Sequence, residues 1–271
     1  MTKEHQNLEM TFWDHLEALR WVFVRSIAAV AILSVIAFLN KEFIFNHIFL
    51  APKNPEFITN QLMCKFGHLI HKESLCLNAH PFQIINFKLA GQFSTHIFIS
   101  IASGIVFASP YIIYEFWKFI KPALYHKEKK HSRGAVLVCS ALFITGVLFA
   151  YFMILPFTID FLGSYQVSQQ VINTISLESY INNVISVTLS VGIVFEIPIL
   201  VYFLTKVGII TPTFMRKSRK IMLVVLLIVS AIITPPDIFS QVMVCIPLLM
   251  LYEMSILVSA SVYRRKFGET K

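Results

Sequence analysis

Glu196 lies inside an apolar run, in Val194-Phe195-Glu196-Ile197-Pro198. A carboxylate near the middle of a bilayer costs about 2.5–3.5 kcal/mol on insertion scales, so such groups face a bundle interior or a wet cavity, protonated or paired. Glu196 is therefore either a functional acid or a protonated group bonded to a neighbouring helix. Pro198 removes a backbone donor and can kink the chain beside it. Glu128 stands in a stretch dense in aromatics and prolines, from Pro110 to Glu128, which reads as a fixed platform. A carboxylate there can accept two parallel bonds from a guanidinium, although Lys127, Lys129 and Lys130 flank it. Glu17 and Arg20 precede the first apolar run. Around them Phe12, Leu16 and Leu19 fall at helical spacing, which predicts an amphipathic helix at the membrane surface, with Trp13 and Trp21 in the interfacial belt. Cys64 and Cys76 lie in one long loop with His68 and His71 between them. That spacing fits no common zinc pattern, so the pair forms a disulfide if the loop is in an oxidising compartment, or stays as free thiols. Cys139 and Cys245 read as small apolar side chains. There is no His-Glu-x-x-His, no Gly-x-Ser-x-Gly and no phosphate-cradling glycine loop. With those motifs missing, no enzymatic step is expected, and no cofactor or metal.

Six apolar segments must carry them. They fall at about 22–40, 93–117, 134–156, 181–205, 221–234 and 238–257, near the ~20 residues that span a bilayer. Of the 271 residues 56% are hydrophobic and 14% charged, against about 25% charged in a soluble domain. Lipid must therefore solvate much of the surface. The expected fold is an all-α polytopic membrane protein, a single membrane domain over 1–271 with an outer loop at 41–92 that contains short helices. The fifth segment is too short for a full span, which implies bilayer thinning or shielding by neighbours. Thr234-Pro235-Pro236-Asp237 turns the chain sharply into the sixth, with Asp237 placed to cap the following helix. Glu253 lies in the sixth segment, and the sequence does not decide its surroundings.

The formal charge is +8, but the cations are clustered in short connectors rather than in a stripe interleaved with stacking aromatics. That excludes a nucleic-acid groove. All 23 Lys and Arg residues except Lys41, Lys53, Lys65, Lys72 and Lys88 fall in the amino-terminal segment, 118–133, 206–220 and the tail. The asymmetry places both termini in the cytoplasm. No basic n-region and cleavage site precede the first run, so it remains as a membrane helix.

Three stretches resemble the TatC family, the multi-span core subunit of the twin-arginine protein translocase. They are His15-Leu16-(x)2-Leu19-Arg20; Ser109-Pro110 through Tyr114-Glu115-x-Trp117 to Pro122-Ala123-Leu124-Tyr125-x-x-Glu128; and Phe195-Glu196-Ile197-Pro198 with Thr234-Pro235-Pro236-Asp237-x-Phe239-Ser240-Gln241. The resemblance runs from Phe12 to about Ser261. It implies a cupped six-helix fold in the bacterial inner membrane, and a receptor that binds twin-arginine signal peptides and exports folded proteins with the proton-motive force. It implies a signal-binding patch of Glu128, Glu17, Arg20, Phe119, Pro122, Leu124 and Tyr125. It also implies contact of Glu196 with single-span TatA/TatB-type subunits, and a homo-oligomer of this chain within a larger complex. The sequence departs from the family at one place. The family reads His-Leu-x-Glu-Leu-Arg-x-Arg, and here Ala18 and Val22 replace the glutamate and the second arginine. Glu17 stands one residue earlier, about 100° around a helix. The alternative is a proton-coupled secondary transporter with Glu196 as its proton site, which requires substrate uptake by this chain alone.

Overall fold

The computed structural model describes residues 12–71, 76–78, 82–120, 132–166, 168, 170, 173–234 and 238–267. Eleven helices occur among them. They are α1 (Phe12–Leu39), α2 (Lys41–Phe43), α3 (Ile58–Leu69), α4 (Gly91–Ile120), α5 (Ser132–Phe149), α6 (Leu155–Ser164), α7 (Leu177–Val194), α8 (Ile197–Val207), α9 (Pro212–Lys217), α10 (Arg219–Ile233) and α11 (Ile238–Phe267). Five helical stretches are long and apolar enough to cross a membrane: His15–Leu39, Gly91–Phe119, Gly134–Ser164, Leu177–Val207 and Ser240–Lys266. The 15-residue α10 is the sixth apolar helix, only about 22 Å long.

α1 differs from the expectation of a separate surface helix. It runs without a break for 28 residues, because no Gly or Pro interrupts 12–39 and every residue there propagates the helix it follows. α1 packs along α4, α4 against α5 and α7, α7 against α5 and α10, and α11 against α8 and α10. The α1–α4 contact is close because Gly104 lies under Ser34 and the Val30 carbonyl. A Cβ there would meet them at 2.2 and 2.9 Å.

The third span does not close at Pro156. Its helix widens into a π-helical turn at Ala150–Ile154 and continues as α6, with Pro156 in the first turn. A proline ring clashes with the carbonyl four residues back and lacks its own donor; the wider turn absorbs both. The fourth span is broken instead. α7 stops at Val194, Phe195 and Glu196 form a turn, and α8 restarts with Pro198 in its first turn. Pro is well tolerated there, where the N–H would be unpaired in any case.

One rim collects the ends of α1, α4, α8 and α11 together with α9. His15 stacks on Phe119, Trp117 lies on Phe203, Lys266 bonds the Lys206 carbonyl, and Tyr252 bonds the Met215 carbonyl. This is the basic rim. At the opposite, loop rim the 41–90 segment is tied down by buried polar groups. Tyr180 and Tyr151 donate to the carbonyls of Phe49 and Ile48, and Asn60 donates to those of Pro52 and Asn54. Two-residue strands β1 (Ile84–Ile85) and β2 (Ile175–Ser176) pair in parallel and join the two loops. Cys64 on α3 is bonded to Cys76. The core between the rims is apolar, with Leu155, Val187, Val191 and Val244 fully buried.

Candidate functional site

Of the residues that the sequence marks for recognition, Glu17, Arg20 and Phe119 are described, and they fall on the basic rim. Glu128, Pro122, Leu124 and Tyr125 lie outside the described residues, as do the Pro235-Pro236 turn and the Asp237 cap. The described part of the patch is built by two antiparallel helix ends. His15, Val22 and Ser26 share the stripe of α1 that faces α4; His15 stacks on Phe119 with ring centroids 4.2 Å apart, and Val22 and Ser26 are buried. Position 18 belongs to that stripe by helical spacing, so Ala18 stands where a longer side chain would face the end of α4. Glu17 and Arg20 are exposed. Glu17 projects about 100° away from position 18, and the structure does not bring it onto the His15–Phe119 stack.

An ion pair that sequence reasoning missed lies one helical turn deeper. Glu115, 4% exposed, accepts from Arg25 on α1 at 3.3 Å. Arg25 reads from sequence as a topology signal and Glu115 as a loop acid; only the α1–α4 register brings them together. Glu115 and Phe119 are four residues apart on one face, so the pair fixes α1 against the platform. Arg25 is half exposed, which places the pair between surface and buried bridges. Glu115→Gln should lower stability by about 1–2 kcal/mol, read as thermal unfolding in detergent. The Arg25→Gln/Glu115→Gln double variant should lose less than the two singles combined. Glu253 also finds a partner: its carboxylate accepts from Arg219 at 2.7 Å, joining α11 to the start of α10.

Glu196 sits at the break between α7 and α8, nearly two thirds of the way along the Leu177–Val207 span. Two glycines make this place. Gly146 on α5 lets the Phe195 ring lie on it, where a Cβ would come within 2.7 Å, and Gly192 lets Phe143 and Val147 close in at 3.0 Å. The helices therefore approach closely, and the Glu196 side chain meets the Cys139 thiol of α5. Its Oε1 is shielded and has no hydrogen-bond partner among the described residues. Nearby, Thr205 and Ser259 bond at 2.8 Å and fasten α8 to α11. The shielded oxygen is an acceptor without a partner among the described residues, set in an apolar wall. A neighbouring helix that carries a polar donor would reach it once the side chain turns outward at the break.

Several apolar helices long enough to cross a membrane, an acid at the break in one of them and an aromatic stack at the basic rim define a multi-span membrane protein. The family model for the Sec-independent protein translocase protein TatC matches residues 14–247. The TatC protein of Blattabacterium sp. subsp. Periplaneta americana is 41% identical over 97% of this chain and all of its own length. That of Aquifex aeolicus is 35% identical over 95% of this chain and 98% of its own. A crystal structure of the twin arginine translocase receptor TatC superposes with a TM-score of 0.73 at 35% identity, over 92% of this chain and 100% of that one. The chain belongs to the TatC family.

Proposed function

We propose that this chain is the receptor of a twin-arginine translocase in the bacterial inner membrane, with both termini and the basic rim in the cytoplasm. It binds the signal peptides of folded cargo at the patch of Glu128, Glu17, Arg20, Phe119, Pro122, Leu124 and Tyr125. Single-span TatA/TatB-type subunits contact Glu196, several copies of the chain assemble in one complex, and the proton-motive force drives passage. The chain is one membrane domain throughout and carries no enzymatic step. The observation that carries the reading is family membership over nearly the whole chain. The platform at His15–Phe119 and the shielded acceptor at Glu196 support its two contact sites. The short α10 supports a thinned bilayer along one side of the path.

The test is photo-crosslinking from positions beside Glu128 and Glu17 to a precursor with a twin-arginine signal, using a Lys-Lys signal as control. Crosslinks that disappear with the Lys-Lys signal are expected. Lysine presents a point charge where arginine presents a planar fork, so the pairing is lost although the charge is kept. An intact membrane protein that crosslinks to neither signal overturns the receptor role.

With the loop rim outside, Cys64 and Cys76 face an oxidising space and their bond persists. It closes a ring with a sequence separation of 12, which in the chain-entropy model stabilises by about 3 kcal/mol. Cys64→Ser should lower the unfolding temperature under oxidising conditions, and reductant should remove the difference from wild type.

A further inference from the structure

A cavity of about 550 Å³ opens at the loop rim, away from both contact sites. It is walled by the helical segment from Lys41 to Leu50 with the turn at Lys53, the β1 edge at Ile84–Asn86, the first turns of α4 from Gln92 to His96, and Leu177 at the start of α7. It lies at the level where the apolar spans end. Lys41 stands two residues past the end of the His15–Leu39 span, and Gln92 is the second residue of Gly91–Phe119.

The charges in it are unbalanced. Lys41, Lys53 and Glu42 line the cavity. Neither lysine has an ion-pair partner among the described residues, whereas Lys88 close by holds Glu178 at 2.6 Å. Lys53 is half-buried, and burial holds its ammonium below the usual lysine range. A desolvated cation without a counter-charge is costly. Asn46 and Gln92 add uncharged donors on two walls. The floor is apolar, formed by Phe45, Leu50 and Ile85. From the mouth an exposed apolar stripe runs down α4 through Phe93, Ile97 and Ile101, at the spacing of one helix face.

We propose that this cavity holds a phospholipid, its headgroup phosphate between Lys41 and Lys53 and its acyl chains along the Phe93–Ile97–Ile101 stripe. The two lysines outweigh Glu42, so the site favours an anion. The apolar stripe distinguishes a lipid ester from free phosphate: only the lipid covers it. The position at the end of the spans is where a bilayer presents its phosphates.

The experiment is native mass spectrometry of the detergent-purified full chain with dioctanoyl phosphatidylglycerol, dioctanoylglycerol or inorganic phosphate. Wild type should retain the phospholipid and not the phosphate-free diacylglycerol, a comparison that needs no variant. Losing charge-assisted bonds to a phosphate should weaken retention about tenfold or more in K41Q/K53Q, and K53Q alone should lie between. K65Q, which removes an exposed lysine on α3, should retain the lipid like wild type. Equal retention of diacylglycerol overturns the proposal, as does K41Q/K53Q behaving like K65Q. Full displacement of the lipid by millimolar inorganic phosphate would overturn it in favour of a free-phosphate site.

Discussion

Glu196→Ala should leave the protein in the membrane at normal abundance and stop export of twin-arginine precursors. The two halves of this expectation have one cause. Glu196 Oε1 is shielded and has no hydrogen-bond partner among the described residues, so removing it deletes a desolvation cost, offset only by the weak contact with the Cys139 thiol. Deleting an unsatisfied buried group is neutral or stabilising for the fold. Partner association should suffer instead. A charge-assisted hydrogen bond contributes about 1.5–3 kcal/mol, so its loss weakens docking of a single-span subunit by roughly ten- to a hundredfold. Glu196→Gln keeps a carbonyl acceptor in the same place and should retain part of the activity. Protease protection of a precursor, together with co-purification of single-span subunits, measures both. Export that survives Glu196→Ala unchanged would remove the partner-contact role. A fall in thermal stability would show that the carboxylate serves the fold.

Glu128→Ala should abolish the crosslink to the signal peptide, while Glu17→Ala should reduce it only a few fold. Glu17 projects from the exposed side of α1, roughly 160° from the centre of the stripe that meets α4, whereas position 18 lies on the edge of that stripe by helical spacing. Glu128 follows Phe119 by nine residues in the sequence. A bidentate guanidinium pair to a carboxylate contributes about 1.5–3 kcal/mol, again tenfold or more in affinity. Ala18→Glu should restore a second acid to the platform and strengthen the crosslink in wild type. It should also rescue part of the Glu17→Ala loss. A loss at Glu17→Ala as deep as at Glu128→Ala would mean that α1 rotates or unwinds at its start when a signal binds.

The helices were legible because lipid-facing segments announce themselves by composition, and Glu196 stood out because a lone carboxylate in such a run is costly. Pairing was less legible. Gly104 and Ser34 set how α1 meets α4, and neither residue signals a contact by type alone, so the Arg25–Glu115 pair was missed. Pro156 read as a stop because a proline rule applies to an α-helix; the π-helical turn before it changes the geometry to which the rule refers. Continuity of α1 was missed for the opposite reason. Amphipathic spacing at 12–19 and apolar spacing beyond 22 read as two elements, although no residue between them breaks a helix. Glu128 was legible only through motif resemblance, since its flanking lysines argue against an arginine ligand on charge alone.

The length of the 40–90 segment has a consequence for synthesis. α1 ends at Leu39 and its packing partner α4 begins at Gly91, so the ribosome adds about fifty residues between them, roughly 3–10 s at ordinary elongation rates. Through that delay α1 must stay in lipid with no neighbour. Its window has the highest mean hydropathy of the five spans, 2.5, and only 17% of that window is buried in the finished fold, so it is already suited to being alone. α10 is the reverse case. Its 15 residues end at Ile233 and α11 starts at Ile238. The short helix emerges only moments before the long one and can enter the bilayer with it as a unit.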